Sequence, residues 1–285
     1  MQIENVSDTA FWVAHYRGQE GKRKDALFQD PLAEKLAGEK GAQIAQLMTR
    51  SRYTGWSVVI RTHVIDGFIQ KKVEAGEVDA VVNLGAGLDT RPYRLDLPKG
   101  LPWIEVDFAP MIEFKEEKLK AEESRVALER VKIDLTKDEL RREFLSQINS
   151  RFKKILVLTE GVIPYLTEIE VAALAKDLRA QSHIRFWIGE QLSPEVVKML
   201  KKFRDKEMKN APFQFDPPEW ESFFSELGWK QEEVRYFMQV ARQLKRYPPV
   251  PLWMMLMFPV IQLFSTAKQR EKRMKQSAYA LRVPK

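Results

Sequence analysis

Cysteine is absent from the 285 residues. Without it the chain forms no disulfide, binds no metal through thiolates and offers no cysteine nucleophile; a reducing cytoplasm is the expected location. Histidine is scarce too, with His15, His63 and His183 the whole supply. A long apolar run is also missing. The longest, Pro249 to Phe264, contains three prolines and a glutamine and falls short of the ~20 residues that cross a bilayer. The first residues, MQIENVSDTAFW, carry acids and no apolar stretch, so no secretory signal is expected there. No repeat or low-complexity linker divides the chain, which favours one catalytic domain with an appended cap.

Charge is unevenly placed. The net value is +7, yet from Lys230 onward 12 Lys and Arg meet three Glu and no Asp, leaving −2 for the preceding 229 residues. That larger portion is not basic and carries no nucleic-acid motif, so nucleic acid is not an expected partner. Before the basic tail lies a cluster of Trp253, Met254, Met255, Met257 and Phe258. A buried helix is the favoured reading. A dimer interface or adaptable pocket wall is the second, and peripheral membrane contact through about 249–275, with Lys268 to Lys275 on anionic lipid, the third.

Residues 1–75 read as a helical cap. Asp8 or Thr9 caps a first helix through Tyr16, and Asp30-Pro31 opens a second. A third, from about Gly55 to Glu74, places Val58, Thr62, Ile65 and Ile69 on one face. From residue 76 the pattern changes to short Val/Ile-rich runs between longer charged segments. Five end on an acid or a glycine turn: Ala80–Leu84 at Gly85-Ala86-Gly87, Pro102–Val106 at Asp107, Arg130–Ile133 at Asp134, Lys154–Leu158 at Glu160-Gly161, and Arg185–Ile188 at Glu190. Glu233–Phe237 and Tyr279–Val283 are candidate strands six and seven. This alternation predicts an α/β fold with a doubly wound, mostly parallel seven-stranded sheet, whose carboxyl edge binds the ligand. A helical lid is expected around 193–228, where FQFDPPEW and ESFFSELGW supply aromatic residues for a pocket wall or for the core.

The stretch VVNLGAGLDT is the most informative. Gly85 and Gly87, flanking Ala86, permit positive φ and close approach of a ligand to the backbone. Thr90 stands where the dinucleotide fingerprint has its third glycine, which weakens a nicotinamide reading. Asp107, twenty residues after Gly87, is placed to accept hydrogen bonds from ribose hydroxyls. Ribose is common to nicotinamide nucleotides and S-adenosylmethionine, so these residues indicate nucleoside binding but not the reaction. A nicotinamide-dependent oxidoreductase and a non-catalytic nucleotide-binding protein stand as alternatives.

RTHVID (61–66), VVNLGAGLDTRPYRL (81–95), WIEVDFAPMIEFK (103–115), IDL (133–135) and LVLTEGVIPYLTEIEV (156–171) occur in order. With them the chain resembles the leucine carboxyl methyltransferase-like family of class I methyltransferases, over about Thr9 to Leu192. The resemblance implies a Rossmann-like fold, S-adenosylmethionine as methyl donor, and S-adenosylhomocysteine as product. It implies that Arg61 binds the donor's carboxylate, Gly85 to Gly87 form its loop, Asp107 holds ribose, and Asp134 and Leu135 flank adenine. Glu160 then lies against the donor, and Arg17 in AHYRGQE helps close the cap, although Gly18 replaces the usual alanine and loosens the helix. Tyr165 matches a substrate-contacting tyrosine and is the expected catalytic residue.

Methyl transfer from a sulfonium is an in-line displacement that needs alignment and exclusion of water, and no metal. A carboxylate acceptor needs no base, whereas a hydroxyl does. His15 and His63 lie in the cap near Arg17 and Arg61, but a packed or exposed role is favoured for both. Members that methylate a protein C-terminus carry an arginine after the D-L pair, where this chain has Thr136. The expected acceptor is therefore a small molecule, methylated on a carboxylate or hydroxyl. Thr136 and Glu139 have the spacing of a helix capping box.

Overall fold

A computed structural model describes residues 5–48, 51–204, 208–249 and 265–285. Three helices come first: α1 (Asp8–Glu20), α2 (Pro31–Leu47, broken at Gly38) and α3 (Ser51–Glu74). Strands and helices then alternate: β1 (Ala80–Leu84), α4 (Arg91–Arg94), β2 (Pro102–Asp107), α5 (Ala109–Leu119), β3 (Ala127–Lys132), α6 (Asp138–Arg151), β4 (Ile155–Thr159), α7 (Glu168–Arg179) and β5 (Ile184–Leu192). The chain continues through α8 (Pro194–Arg204), α9 (Trp220–Glu226), β6 (Trp229–Tyr236), α10 (Phe237–Gln243), α11 (Ala267–Met274) and β7 (Ser277–Pro284).

The seven strands form one sheet in the order β3-β2-β1-β4-β5-β7-β6, with β3 to β5 parallel and β7 antiparallel to both neighbours. This is the doubly wound sheet expected from the alternation of strands and helices. Its crossovers reverse between β1 and β4, and a ligand crevice opens at that switch point. The central strands AVVNL and ILVLT are buried along their whole length because helices cover both faces. Val82, Leu84, Ile155 and Val157 meet α6, α7 and α9 on one face, while Val81, Leu156 and Leu158 meet α3 and α10 on the other.

Strand boundaries depart from expectation at the edges. β3 begins at Ala127 and β6 at Trp229, earlier than their apolar runs indicate. Both are edge strands, and ALERVK and WKQEEVRY carry the charges that discourage further strand pairing. β5 runs on through Glu190 to Leu192 because β7 pairs with Trp187–Leu192 after β4 has ended.

The amino-terminal helices divide their work. The expected stripe on α3 (Val58, Thr62, Ile65 and Ile69) is buried, with Ile65 and Ile69 packed in the sheet's core. α1 and α2 instead pack together over the carboxyl edge, with Ala14, Ala33 and Leu36 against Leu88 and Met111. Asp30 caps α2 by accepting from the Ala33 amide. Gly18 has a positive reason to be glycine, because a Cβ there would lie 2.7 Å from the Glu34 Cβ across the helix pair. Close helix contact outweighs lost helix propensity.

In the predicted lid, Phe215, Trp220 and Phe224 join the core, while Val196, Met199, Leu200 and Phe213 face a cavity. Most of the 249–275 segment, including the Trp/Met cluster, lies outside the described residues. No helix among the described residues is long and apolar enough to cross a membrane.

Candidate functional site

Two adjoining cavities lie beneath α1 at the carboxyl edge. The first, about 330 Å3, is lined by residues following β1, β2, β3 and β4, which places it in the size range of small-molecule sites. The second, about 130 Å3, opens toward α3, α8 and β7. Thr9, Val13, Arg61, Gly161 and Tyr165 line both.

The glycine turn shapes the floor of the larger cavity. Gly85 and Gly87 have φ of 70° and 48°, a region that costs other L-residues roughly 1–2 kcal/mol. The Gly85 and Ala86 amides both donate to the Val106 carbonyl at 2.8 and 3.1 Å, tying the turn to β2. A Cβ on Gly85 would stand 2.5 Å from the Val162 Cγ2. Gly85→Ala should therefore cost at least ~2 kcal/mol in urea unfolding, from backbone strain plus overpacking. Adding Val162→Ala should recover part of that; no recovery would show that the steric contact is unimportant.

Asp107 ends β2, and its carboxylate is fixed by two backbone donors. Gly87 N donates to Oδ2 at 2.6 Å and Phe108 N to Oδ1 at 2.7 Å. Burial pushes the Asp107 carboxyl above its ordinary value, against the pull of these amides and Lys115. Carboxylate oxygens accept more than one hydrogen bond, so this geometry is compatible with additional donors.

Arg17, Arg61, Gly85, Ala86, Gly87, Asp107, Leu135, Glu160 and Tyr165 all line the larger cavity. Asp134 is the exception among the proposed ligands. Its Oδ1 accepts from the Thr136 amide at 2.9 Å and from Oγ1 at 2.6 Å, and its neighbours Ile133, Leu135 and Thr136 line the cavity in its place. A short polar side chain bonded two residues on turns back onto its own loop. The same bonds explain why no capping box forms at Thr136: α6 begins at Asp138, with Lys137 at the cap position and no side-chain cap.

Glu160 is held at both oxygens, with Arg61 Nε 2.9 Å from Oε1 and Arg91 Nη1 donating to Oε2 at 2.6 Å. Burial alone would raise the Glu160 carboxyl, but Arg91 and Arg61 keep it below its ordinary value. Arg91 is fully buried and also donates to Asp66 at 2.7 Å and to Asp89 at 2.9 Å. Arg94 grips both oxygens of Asp66, at 2.7 and 2.9 Å. On the other flank Arg17 Nε donates to Asp30 at 3.0 Å, Thr90 donates to Asp30 at 2.6 Å, and Arg17 Nη2 donates to the Leu88 carbonyl. Four arginines thus meet Asp30, Asp66, Asp89 and Glu160. The lattice joins α1, the start of α2 and α3 to the loops after β1 and β4.

Asp30, Asp66, Asp89, Arg91 and Arg94 were not anticipated as members of this network, although DTRPYR puts three charges beside the glycine turn; of the five, Asp89 lines the larger cavity. Glu190 likewise had no anticipated role. Glu190 lines the smaller cavity and is 5% exposed. Tyr279 donates to its Oε1 at 2.9 Å, and the Gly161 amide donates to the same oxygen. Among the described residues, no histidine lines either cavity. His183 instead contacts the Asn149 carbonyl through Nδ1 at 2.7 Å, and His15 packs edge-on against Tyr16. Tyr165, half-buried where the cavities meet, stacks on Phe213 with ring centres 5.2 Å apart.

A sequence profile described as leucine carboxyl methyltransferase matches residues 10–179. A candidate S-adenosyl-L-methionine-dependent methyltransferase of Streptomyces avermitilis is 34% identical over 194 residues, 64% of this chain and 67% of the relative. Another, from Parafrankia sp., is 30% identical over 286 residues, 93% of this chain and 87% of its own. Among solved structures, a DUF574 family protein from S. avermitilis superposes with a TM-score of 0.56 at 10% identity, covering 95% of this chain and 97% of that one. A candidate methyltransferase from Thermobifida fusca gives a TM-score of 0.55 at 15% identity, covering 95% and 94%. At such identities the superpositions establish a shared fold.

Proposed function

The chain belongs to the leucine carboxyl methyltransferase family and is an S-adenosylmethionine-dependent methyltransferase; from that premise we propose that it methylates an oxygen, carboxylate or hydroxyl, of a small molecule. The observation that carries the proposal is the pair of cavities meeting at Arg61, Gly161 and Tyr165. The larger is polar at its glycine and carboxylate floor. The smaller is walled by Trp12, Val58, Pro164, Leu192, Met199 and Phe213.

S-adenosylmethionine supplies an electrophilic methyl group on a sulfonium. In our reading Asp107 holds its ribose, Leu135 packs on adenine, the backbone of Gly85 to Gly87 borders it, and Arg61, anchored on Glu160, binds its carboxylate. The acceptor enters the smaller cavity, where the apolar wall excludes water and Tyr165 orients the nucleophilic oxygen. Two features favour a small acceptor over a protein C-terminus. An apolar cavity of ~150 Å3 accommodates benzene, and the smaller cavity, at about 130 Å3, suits a comparably compact group. Thr136, in place of the family's carboxylate-clamping arginine, is occupied with Asp134.

Isothermal titration distinguishes this reading from a nicotinamide enzyme. S-adenosylhomocysteine should bind and NAD should not, and the opposite result would overturn the proposal. Release of S-adenosylhomocysteine on incubation with acceptor libraries separates an active enzyme from a non-catalytic binder. Tyr165→Phe should lower turnover at least ~10-fold, at the lower end of what a single orienting hydrogen bond to charge is worth, while S-adenosylhomocysteine affinity stays within about twofold. Lost affinity with intact turnover would overturn the role of Tyr165.

A further inference from the structure

We infer that Glu190 takes the proton of a hydroxyl acceptor in the smaller cavity and thereby selects phenols and alcohols over carboxylates. The inference rests on the methyltransferase reading above and narrows its acceptor. Glu190 is contributed by β5, where that strand extends past the end of β4 and faces α3 and Tyr279. Its Oε1 accepts from Tyr279 and Gly161, whereas Oε2 is buried with no hydrogen-bond partner among the described residues. A buried carboxylate oxygen left without a donor is costly. An acceptor hydroxyl supplies the missing donor; a carboxylate does not.

The charges lining this cavity point the same way. Among the described residues Arg61 is the one cation in its wall, and its Nε lies against Glu160. An incoming carboxylate would meet the like charge of Glu190 without a cation devoted to it, and such juxtapositions are strongly unfavourable. A neutral hydroxyl meets an acceptor and a site for its proton. With no histidine in the wall among the described residues, Glu190 is the side chain there suited to act as base. Burial also pushes its carboxyl above the ordinary value, against the opposing influence of Gly161, Tyr279 and Arg61, which makes it a better base.

The balance is simple. The acceptor O–H bond breaks and its proton passes to Glu190. The oxygen forms a bond to the methyl carbon as the carbon–sulfur bond breaks, and that electron pair remains on sulfur as a neutral thioether. One positive charge is lost from sulfur and one proton is gained by Glu190, which returns it to solvent as product leaves.

Phenol and benzoate test this, because they share a ring and differ in the head group. Titrated into protein saturated with S-adenosylhomocysteine, phenol should bind at least ~10-fold more tightly than benzoate. Glu190→Gln, which keeps the shape and an oxygen for Tyr279, should reduce that preference to about twofold or less, with S-adenosylhomocysteine affinity unchanged within about twofold. Glu190→Asp should retain the preference and guards against a fold defect in the amide variant. With phenolic acceptors, Glu190→Gln should slow methylation at least ~100-fold. Benzoate binding as tightly as phenol, a preference indifferent to Glu190→Gln, or neither ring binding would each overturn the inference while leaving the methyltransferase reading intact. Failure of S-adenosylhomocysteine to bind the wild-type protein would remove both.

Discussion

Arg91→Met is expected to cost about 3–5 kcal/mol of folding stability, the usual result of removing one partner from a buried ionic cluster. Arg91 is fully buried and holds Asp66, Asp89 and Glu160 at 2.6 to 2.9 Å. The methionine fills most of the volume, so the loss is chiefly electrostatic: three desolvated carboxylates lose their shared cation. Urea unfolding measures the effect directly. A loss below ~1 kcal/mol would mean that the cluster reorganises or admits water. Arg91→Met combined with Glu160→Gln should cost less than the sum of the single changes, because one orphaned charge is gone.

The pH dependence of the Arg91→Met penalty has a defined sign. In the wild type, arginines hold Asp89 and Glu160 below their ordinary values despite burial. Such groups contribute stability above the unfolded-state pKa and lose it as pH falls through the folded-state value. Without Arg91 the burial effect dominates and their folded-state values rise. The variant's native state then binds protons more readily than its unfolded state, and the cost of the mutation shrinks as pH falls from about 7 toward about 5. A penalty that grows on acidification would exclude this account.

The parts of the fold that sequence reading captured are those in which burial is complete. The runs AVVNL and ILVLT have helices on both sides, so each residue reports the same environment, and their boundaries lie within a residue of expectation. Edge strands obscure theirs, because ALERVK is exposed at its ends and only half-buried between them, with charged residues among the apolar ones. The site divides in the same way. The positive φ of Gly85 and Gly87 and the strand-end position of Asp107 were legible because a single short turn and a strand end determine them. The ion-pair lattice was not, because Asp30 caps α2 and Asp66 lies in α3 while Arg91 follows β1, and no local pattern pairs residues that meet only after the amino-terminal helices pack on the sheet. Asp134 is the converse case. It occupies the expected sequence position, but a local bond to Thr136 decides where its carboxylate goes.

Asp107→Ala is expected to weaken S-adenosylhomocysteine binding by about 3 kcal/mol or more, ~100-fold, if its carboxylate holds ribose through two charge-assisted hydrogen bonds worth ~1.5–3 kcal/mol each. The turn itself adds to the loss, because Gly87 N and Phe108 N both lose the carboxylate that orders them. Asp107→Asn retains one acceptor oxygen and should fall between wild type and alanine. Choosing ligands that share only parts of the donor separates ribose recognition from general damage. Methylthioadenosine has the ribose and should lose affinity in parallel with S-adenosylhomocysteine, whereas free adenine should lose little. Equal losses for adenine and methylthioadenosine would assign the effect to a collapsed turn, and affinity within about threefold of wild type in a folded variant would end the ribose assignment. Acidification supplies an independent reading. Burial raises the Asp107 carboxyl above its ordinary value, so protonation, and the affinity lost with it, should begin at a higher pH than for an exposed aspartate.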